Sequence, residues 1–262
     1  MSASAADREQ RPAASPRRVL VTGASRGIGR VIAQRFAALG DQVVAVGRDR
    51  AALDALAQAG GAHVTTAVCE LTDEQQVAAL FARAGRVDVL VNNAGVSDSS
   101  PLGRTTLDSW HSQLAVNATA AFLCTRAVID GMRERDRGRI VTVASTAGRA
   151  GAAYAAAYCA SKHAAIGLMR SAAAELAGSG VTANAVCPAF VDTEMTARSA
   201  QRIAAHTGRT PQQSLQALAR LAPLGRLVAP AEVAEAVIWL ASEAAAAVNG
   251  QAIVLDGGGI QT

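Results

Sequence analysis

From residue 17 onward, short apolar runs rich in Val and Ile alternate with longer stretches in which Ala, Leu and Ile recur at helical spacing. Apolar runs bounded by Gly, Asp or Ser read as strands buried on both faces, and the longer amphipathic stretches read as helices lying against them. Strands are expected at Val19 to Thr22, Val43 to Val46, Val64 to Val68, Val87 to Val91, Ile140 to Val143, Val181 to Ala185 and Ala252 to Leu255. Between them the pattern predicts helices from the first strand through Phe36, from Asp49, from Thr72, from about Leu107 to Arg133, from about Ala155 to Ala177 and from Ala231 to Ala241. Such alternation defines an α/β domain: one doubly wound parallel sheet of Rossmann type, about seven strands, with helices on both faces.

Two segments break the rhythm. Residues 1–16 are small and polar with two prolines, which predicts a disordered tail ahead of a single domain spanning 17–262. From about 193 to 227 no strand is expected, only weaker helical stretches at Ser199 to Ala205 and Pro211 to Leu221 around Gly208. A connection this long inside a compact domain suits a lid over a ligand site.

Composition narrows the class. Half of the residues are apolar but only 3% are aromatic, so the core must be aliphatic. No apolar run reaches the roughly 20 residues of a membrane span and no secretory leader is visible, so a cytoplasmic protein without membrane contact is expected. Cys69, Cys124, Cys159 and Cys187 are far apart and form no metal-binding spacing, so reduced thiols and no metal site are expected. The formal charge of +4 comes from scattered arginines, which with so few aromatics argues against a nucleic-acid partner.

Chemistry concentrates in two places. The first is Thr22-Gly23-Ala24-Ser25-Arg26-Gly27-Ile28-Gly29, between the first strand and the first helix. Gly23, Gly27 and Gly29 can supply a tight turn and close backbone approach to a pyrophosphate at a helix N-terminus. The second strand ends Val46-Gly47-Arg48, without the acid that would favour NAD. Arg26 and Arg48 could instead clasp a 2′-phosphate, so NADP(H) is expected over NAD(H), and Asp49 reads as a helix N-cap. The second place is Tyr158-Cys159-Ala160-Ser161-Lys162. Lys162 is the only lysine beside 24 arginines, and four residues on a helix put it on the same face as Tyr158. A compact ammonium there can draw the phenol down from its usual pKa of about 10, a task a wide guanidinium fills poorly.

The glycine spacing, Asn92-Asn93-Ala94-Gly95 after the fourth strand and Tyr158-x-x-x-Lys162 occur in the order found in the short-chain dehydrogenase/reductase family, which residues 17 to 259 resemble throughout. The resemblance implies a catalytic set of Asn117, Ser145, Tyr158 and Lys162. It implies a cofactor site at Gly23, Ser25, Arg26, Gly27, Ile28, Gly29 and Arg48, continuing through Glu70, Leu71, Asn93, Ala94, Gly95, Tyr158, Lys162, Pro188, Val191 and Thr193. Glu70 departs from the usual Asp at the adenine edge. Substrate would meet Ser145, Ala147, Arg149, Tyr154, Tyr158, Ala189 and Phe190, a mostly small and apolar set suited to a weakly polar ketone.

The activity implied is NADP(H)-dependent interconversion of a ketone and a secondary alcohol. The stretch from Ile140 to Met195 looks most like members that reduce 3-oxoacyl thioesters and polyketide intermediates, carried by CoA or a carrier protein. Other hydrophobic, cyclic or aryl alcohols stay open, as does a non-catalytic nicotinamide-nucleotide sensor. Arg133, Arg135, Arg137 and Arg139 form a candidate landing patch for a carrier protein. Family members usually form homotetramers, and the Ala-rich faces 155–157 and 172–174 would permit close helix contacts.

Overall fold

The computed structural model describes residues 16–261, so the tail expected at its start lies, apart from Pro16, outside the described residues. In chain order the elements are β1 (Arg18–Thr22), α1 (Gly27–Ala38), β2 (Gln42–Gly47), α2 (Arg50–Gly60), β3 (Val64–Val68), α3 (Glu74–Ala84), β4 (Val89–Asn92) and α4 (Leu107–Leu114). They continue with α5 (Ala120–Glu134), β5 (Gly138–Val143), α6 (Ala156–Glu175), β6 (Val181–Pro188), α7 (Glu194–Thr207), α8 (Pro211–Ala219), α9 (Pro230–Leu240) and β7 (Ala252–Leu255).

The seven strands form one sheet in the order β3-β2-β1-β4-β5-β6-β7, and each neighbouring pair is parallel. Period-two alternation along each strand feeds two separate cores. Val19, Val21, Val89 and Val91 point to the side covered by α1 and α9, with Ile32, Phe36, Val233 and Val237. Leu20, Leu90 and Ile140 point to the other, with Leu80, Leu123, Met132, Ile166 and Met169 from α3, α5 and α6. Chain order reverses where β1 sits between β2 and β4, and in sheets of this kind ligands bind beyond the carboxyl ends of the strands at that reversal.

Local signals explain several boundaries. Asp49 caps α2, its carboxylate accepting the Ala52 N–H at 3.0 Å. Gly208, at φ +70°, ends α7 in a left-handed conformation that separates it from α8, and Thr210 opens α8 with a reciprocal cap to Gln213. The stretch expected as one helix from Leu107 to Arg133 is divided. Between α4 and α5 the residues Ala115–Thr119 form a π-helical turn, which places one extra residue in the coil.

Of the arginine cluster at 133–139, Arg133, Arg135 and Arg137 are exposed and Arg139 is tied into the fold. Arg139 is buried and donates to the Gly138 and Gly180 carbonyls at 2.8 Å. Both Arg137 and Arg139 reach Glu243 at 3.2 Å, Arg133 pairs with Glu175 at 3.8 Å, and Arg135 donates to the Val87 carbonyl. These residues surround the start of β5, the end of the sheet away from the loops described next. Of the two Ala-rich stretches, Ala157, Ala172 and Ala173 are buried within this chain, while Ala155 and Ala156 are half-buried and Ala174 is exposed. Exposed apolar bulk on the helices lies at Leu107 of α4, Phe122 of α5 and Trp239 of α9.

Candidate active site

The residues singled out from sequence come together at the carboxyl ends of β1 to β6. The loop from β1 to α1 opens with Gly23 at φ +65°, a conformation that favours glycine. A Cβ built there would stand 2.8 Å from the Ala94 Cα, so the turn can lie against the β4 loop only without a side chain. Thr22 locks the two loops: its hydroxyl accepts the N–H groups of Asn93 and Ala94 at 2.9 and 3.0 Å and donates to the Val91 carbonyl. Asn93 returns its amide to the Thr22 and Gly23 carbonyls at 2.8 and 3.2 Å. For Gly23→Ala we expect a melting temperature lower by several degrees and NADPH affinity weakened at least about tenfold. Thermal unfolding and cofactor titration check both, and unchanged values would remove the argument for this close approach.

The start of α1 is open to an anion. Arg26 precedes it in an extended conformation, no side chain caps its first N–H groups, and its first turn carries no acid. These free donors and the positive helix end suit a pyrophosphate. Ser25 lies against Gly47 at the end of β2, and Thr193 lies over Gly27.

Both candidate phosphate cations are exposed and lightly held. Arg48 donates to Glu70 at 3.3 Å, and Arg26 reaches Glu194, at the start of α7, at 3.8 Å. Glu70 is committed to Arg48 and to Thr72, whose N–H and hydroxyl it accepts at 3.2 and 2.9 Å. Burial pushes the Glu70 carboxyl up, but the Thr72 and Arg48 contacts outweigh it and leave the group below its ordinary value. Its carboxylate thus steadies Arg48. Leu71, buried behind it, shares a small closed cavity with Ala94 and Asn117.

Tyr158 and Lys162 project from one face of α6 into the gap between the β4 and β5 loops. The Lys162 ammonium donates to the Val143 carbonyl at 3.0 Å and lies 5.9 Å from the Tyr158 ring centroid. A Cβ on Gly95 would come within 3.5 Å of that ammonium, so the β4 loop passes close above it. Asn117, buried in the π-helical turn, binds both sides of Val96. It accepts the Val96 N–H at 2.8 Å and donates to its carbonyl at 2.9 Å and to the Ser161 hydroxyl at 2.8 Å. Ser145 leaves β5 with its hydroxyl accepting the Ala147 N–H at 3.1 Å.

The electrostatics depart from the sequence expectation in one respect. Burial raises the Tyr158 phenol above its ordinary value, with the Ser145 hydroxyl working the other way. Lys162 turns to a carbonyl and is itself lowered by burial to about 8, with Cys187 opposing that shift. In the chain alone Tyr158 is thus a protonated phenol near neutrality, the state required of a proton donor.

The rest of the expected pocket stands around this centre. Arg149 and Ala147 follow Ser145; Pro188 ends β6, and Ala189 and Phe190 follow it, with the Phe190 ring partly exposed. Val191 bridges to Val228 beside them. Tyr154 has φ +65°, uncommon for a bulky residue, and its carbonyl accepts the Ser100 N–H at 2.9 Å with its ring in solvent. Sequence reasoning gave no role to Thr22 or Glu194. A threonine closing β1 just before the glycine loop was the one legible signal among them.

A parallel sheet reversing between β1 and β4, an open helix end beneath a glycine turn, and a Tyr-Lys pair with a buried ammonium define a nicotinamide-nucleotide oxidoreductase of the doubly wound class. The short chain dehydrogenase family matches residues 17–204, and the chain belongs to it. It is 40% identical over 251 residues to the putative ketoacyl reductase 1 of granaticin polyketide synthase from Streptomyces violaceoruber, covering 91% of each chain. D-threitol dehydrogenase of Mycolicibacterium smegmatis is 39% identical over 247 residues, again with 91% of each chain covered. Among solved structures, a variant of actinorhodin polyketide ketoreductase with NADPH superposes with a TM-score of 0.88 at 36% identity, covering 94% of this chain and 98% of that one.

Proposed function

We infer that the protein is an NADPH-dependent ketone reductase, running in reverse as a secondary-alcohol dehydrogenase, and that its substrate is a 3-oxoacyl or polyketide-type ketone. The observation that carries the reading is the half-buried Tyr158 and buried Lys162 next to Ser145 and Asn117, beside a nucleotide site whose second strand is followed by Arg48 and not by an acid. Residues present fit NADPH: the uncapped α1 terminus for the pyrophosphate, and Arg26 and Arg48 for the 2′-phosphate.

The bound dihydronicotinamide supplies the hydride that the carbonyl carbon accepts. Ser145 donates a hydrogen bond to the carbonyl oxygen and Tyr158 gives that oxygen its proton, so a ketone becomes a secondary alcohol. The ammonium of Lys162 stabilises the phenolate left behind, and Asn117, by clasping Val96 and Ser161, holds the β4 loop and α6 in register around it. Residues 193–227 form the lid, tied to the glycine loop through Arg26 and Glu194.

Similarity to a polyketide ketoacyl reductase supports an acyl ketone carried as a thioester, while similarity to a polyol dehydrogenase points to a small hydroxylated substrate. The exposed rings of Phe190 and Tyr154 at the mouth support the first, since they offer a polyol few polar partners. A cytoplasmic homotetramer accords with this reading. Among the described residues no helix is long and apolar enough to cross a membrane, and the exposed Phe122 and Trp239 supply apolar area for subunit contact.

The test is NADPH oxidation with acetoacetyl-CoA, 2-decalone, acetophenone and D-threitol's ketone counterpart, repeated with NADH. Turnover with one of the first three and a preference for NADPH is the expected result; reaction only with the polyol-derived ketone would overturn the substrate class. Arg48→Ala should raise the KM for NADPH about 10-fold and leave that for NADH within about twofold, because one charge-assisted contact to the 2′-phosphate is lost. Equal effects on both cofactors would take Arg48 out of the site.

A further inference from the structure

Arg202, on α7, reaches across the mouth of the cleft to the loop after β4. Its guanidinium donates to the Asp98 carboxylate at 3.1 Å and to the Ser97 carbonyl at 3.2 Å, contacts that join segments 104 and 105 residues apart. The same guanidinium reaches the Ser199 hydroxyl at 3.3 Å, which aligns it along its own helix.

The receiving loop is built to hold still. The Asp98 N–H donates to the buried Gln113 of α4 at 3.1 Å, and Ser109 donates to the second Asp98 oxygen at 3.1 Å. Gln113 in turn donates to Ser109 at 3.3 Å. One residue before Ser97, both backbone groups of Val96 are bound by Asn117. Thus hydrogen bonds from α7 reach Ser97 and Asp98, the backbone joins these to Val96, and hydrogen bonds lead from Val96 to Asn117, which faces Ser161 and α6.

We propose that Arg202 is a positioning residue that latches the lid to the β4 loop and so fixes the wall against which the ketone binds. This rests on the reading of the cleft as a ketone site. Arg202 touches neither Tyr158, Ser145 nor Lys162, so it acts through the loop and not on the reacting atoms. The two acceptors, a carboxylate and a carbonyl, suit a planar fork better than an ammonium, which can satisfy one of them at a time. With its side chain 38% exposed and that of Asp98 52% exposed, the pair is open to screening by salt.

The experiment compares wild type, Arg202→Met, Arg202→Lys and Asp98→Asn, using NADPH with whichever of 2-decalone and acetophenone the wild type reduces faster. Arg202→Met is expected to raise the KM for the ketone about 10-fold while kcat stays within about threefold and NADPH affinity is unchanged, with Arg202→Lys recovering part of the loss. Raising NaCl from about 50 to about 500 mM should raise the wild-type KM for this uncharged ketone severalfold and leave that of Arg202→Met flat. Hydrogen exchange with NADPH bound should be faster across residues 193–227 in Arg202→Met and Asp98→Asn, a readout that needs no turnover. An unchanged ketone KM in Arg202→Met, or the same salt response in both proteins, overturns the latch while the ketone-reductase reading stands. A wild type that reduces no ketone overturns that reading and the latch with it.

Discussion

Tyr158→Phe is expected to lower NADPH-dependent ketone reduction by about 10³-fold, within the range of general acid catalysis, and to leave NADPH affinity within about twofold. The change removes one oxygen and keeps the ring. The packing of α6 and its contacts with the β4 and β5 loops, which run through Ser161, Lys162 and Asn117, are untouched. Lost with the hydroxyl is the group that burial keeps protonated beside Ser145. Without it Ser145 can still polarise the carbonyl, so residual turnover is expected to persist and to depend on Ser145. Single-turnover kinetics and a fluorescence titration of NADPH separate the two quantities. Activity within tenfold of wild type would remove Tyr158 from the role of proton donor.

Lys162→Met should cost activity and add stability, and the two effects share one cause. Lys162 is 5% exposed, its ammonium is held by one carbonyl, and its pKa is lowered by burial from 10.5 to about 8. A cation lowered in this way is charged in both the folded and the unfolded chain below about pH 8. Between about pH 8 and 10.5 the unfolded chain alone keeps the proton, so stability rises with pH through that window. At about 1.36 kcal/mol per pH unit the rise is on the order of 3 kcal/mol. Methionine removes the desolvation cost at every pH and loses the bond to Val143, worth about 1 kcal/mol. The variant should therefore be more stable than wild type by roughly 1 to 2 kcal/mol at pH 7, lose that advantage above pH 10, and show kcat/KM reduced by at least about 10²-fold. Denaturant unfolding at several pH values checks the first two statements. A variant less stable than wild type at pH 7 would mean that Lys162 holds the fold together as well as the chemistry.

Much of this was legible in the chain because its strongest signals are local. Apolar runs of strand length, three glycines between a strand and a helix, and a lysine four residues after a tyrosine each depend only on nearby residues, and the sheet and the site loops stand where those signals put them. Other features depended on three-dimensional placement. Nothing around Glu70 in sequence indicates that Arg48 will occupy its carboxylate. The turn of Lys162 toward Val143 depends on where β5 ends beneath α6, and the consumption of Arg137 and Arg139 by Glu243 joins residues more than a hundred positions apart. The division between α4 and α5 was hidden for another reason: Ala, Leu and Val keep their apolar character whether a coil closes after four residues or five.

That division has a genetic consequence. A π-helical turn amounts to one residue inserted into an α-helix, and each residue advances the coil by about 100°. Removing one codon from the stretch encoding Ala115–Thr119 would let α4 run into α5 as a regular helix, with every backbone bond in the ordinary pattern. The flanking helices would keep their phase, because the wide turn already absorbs the extra residue, but the outward bulge that aims Asn117 at Val96 and Ser161 would be lost. Single-residue deletions here are therefore poor candidates for neutral drift, although the segment is rich in alanine and in sequence resembles a tolerant helix.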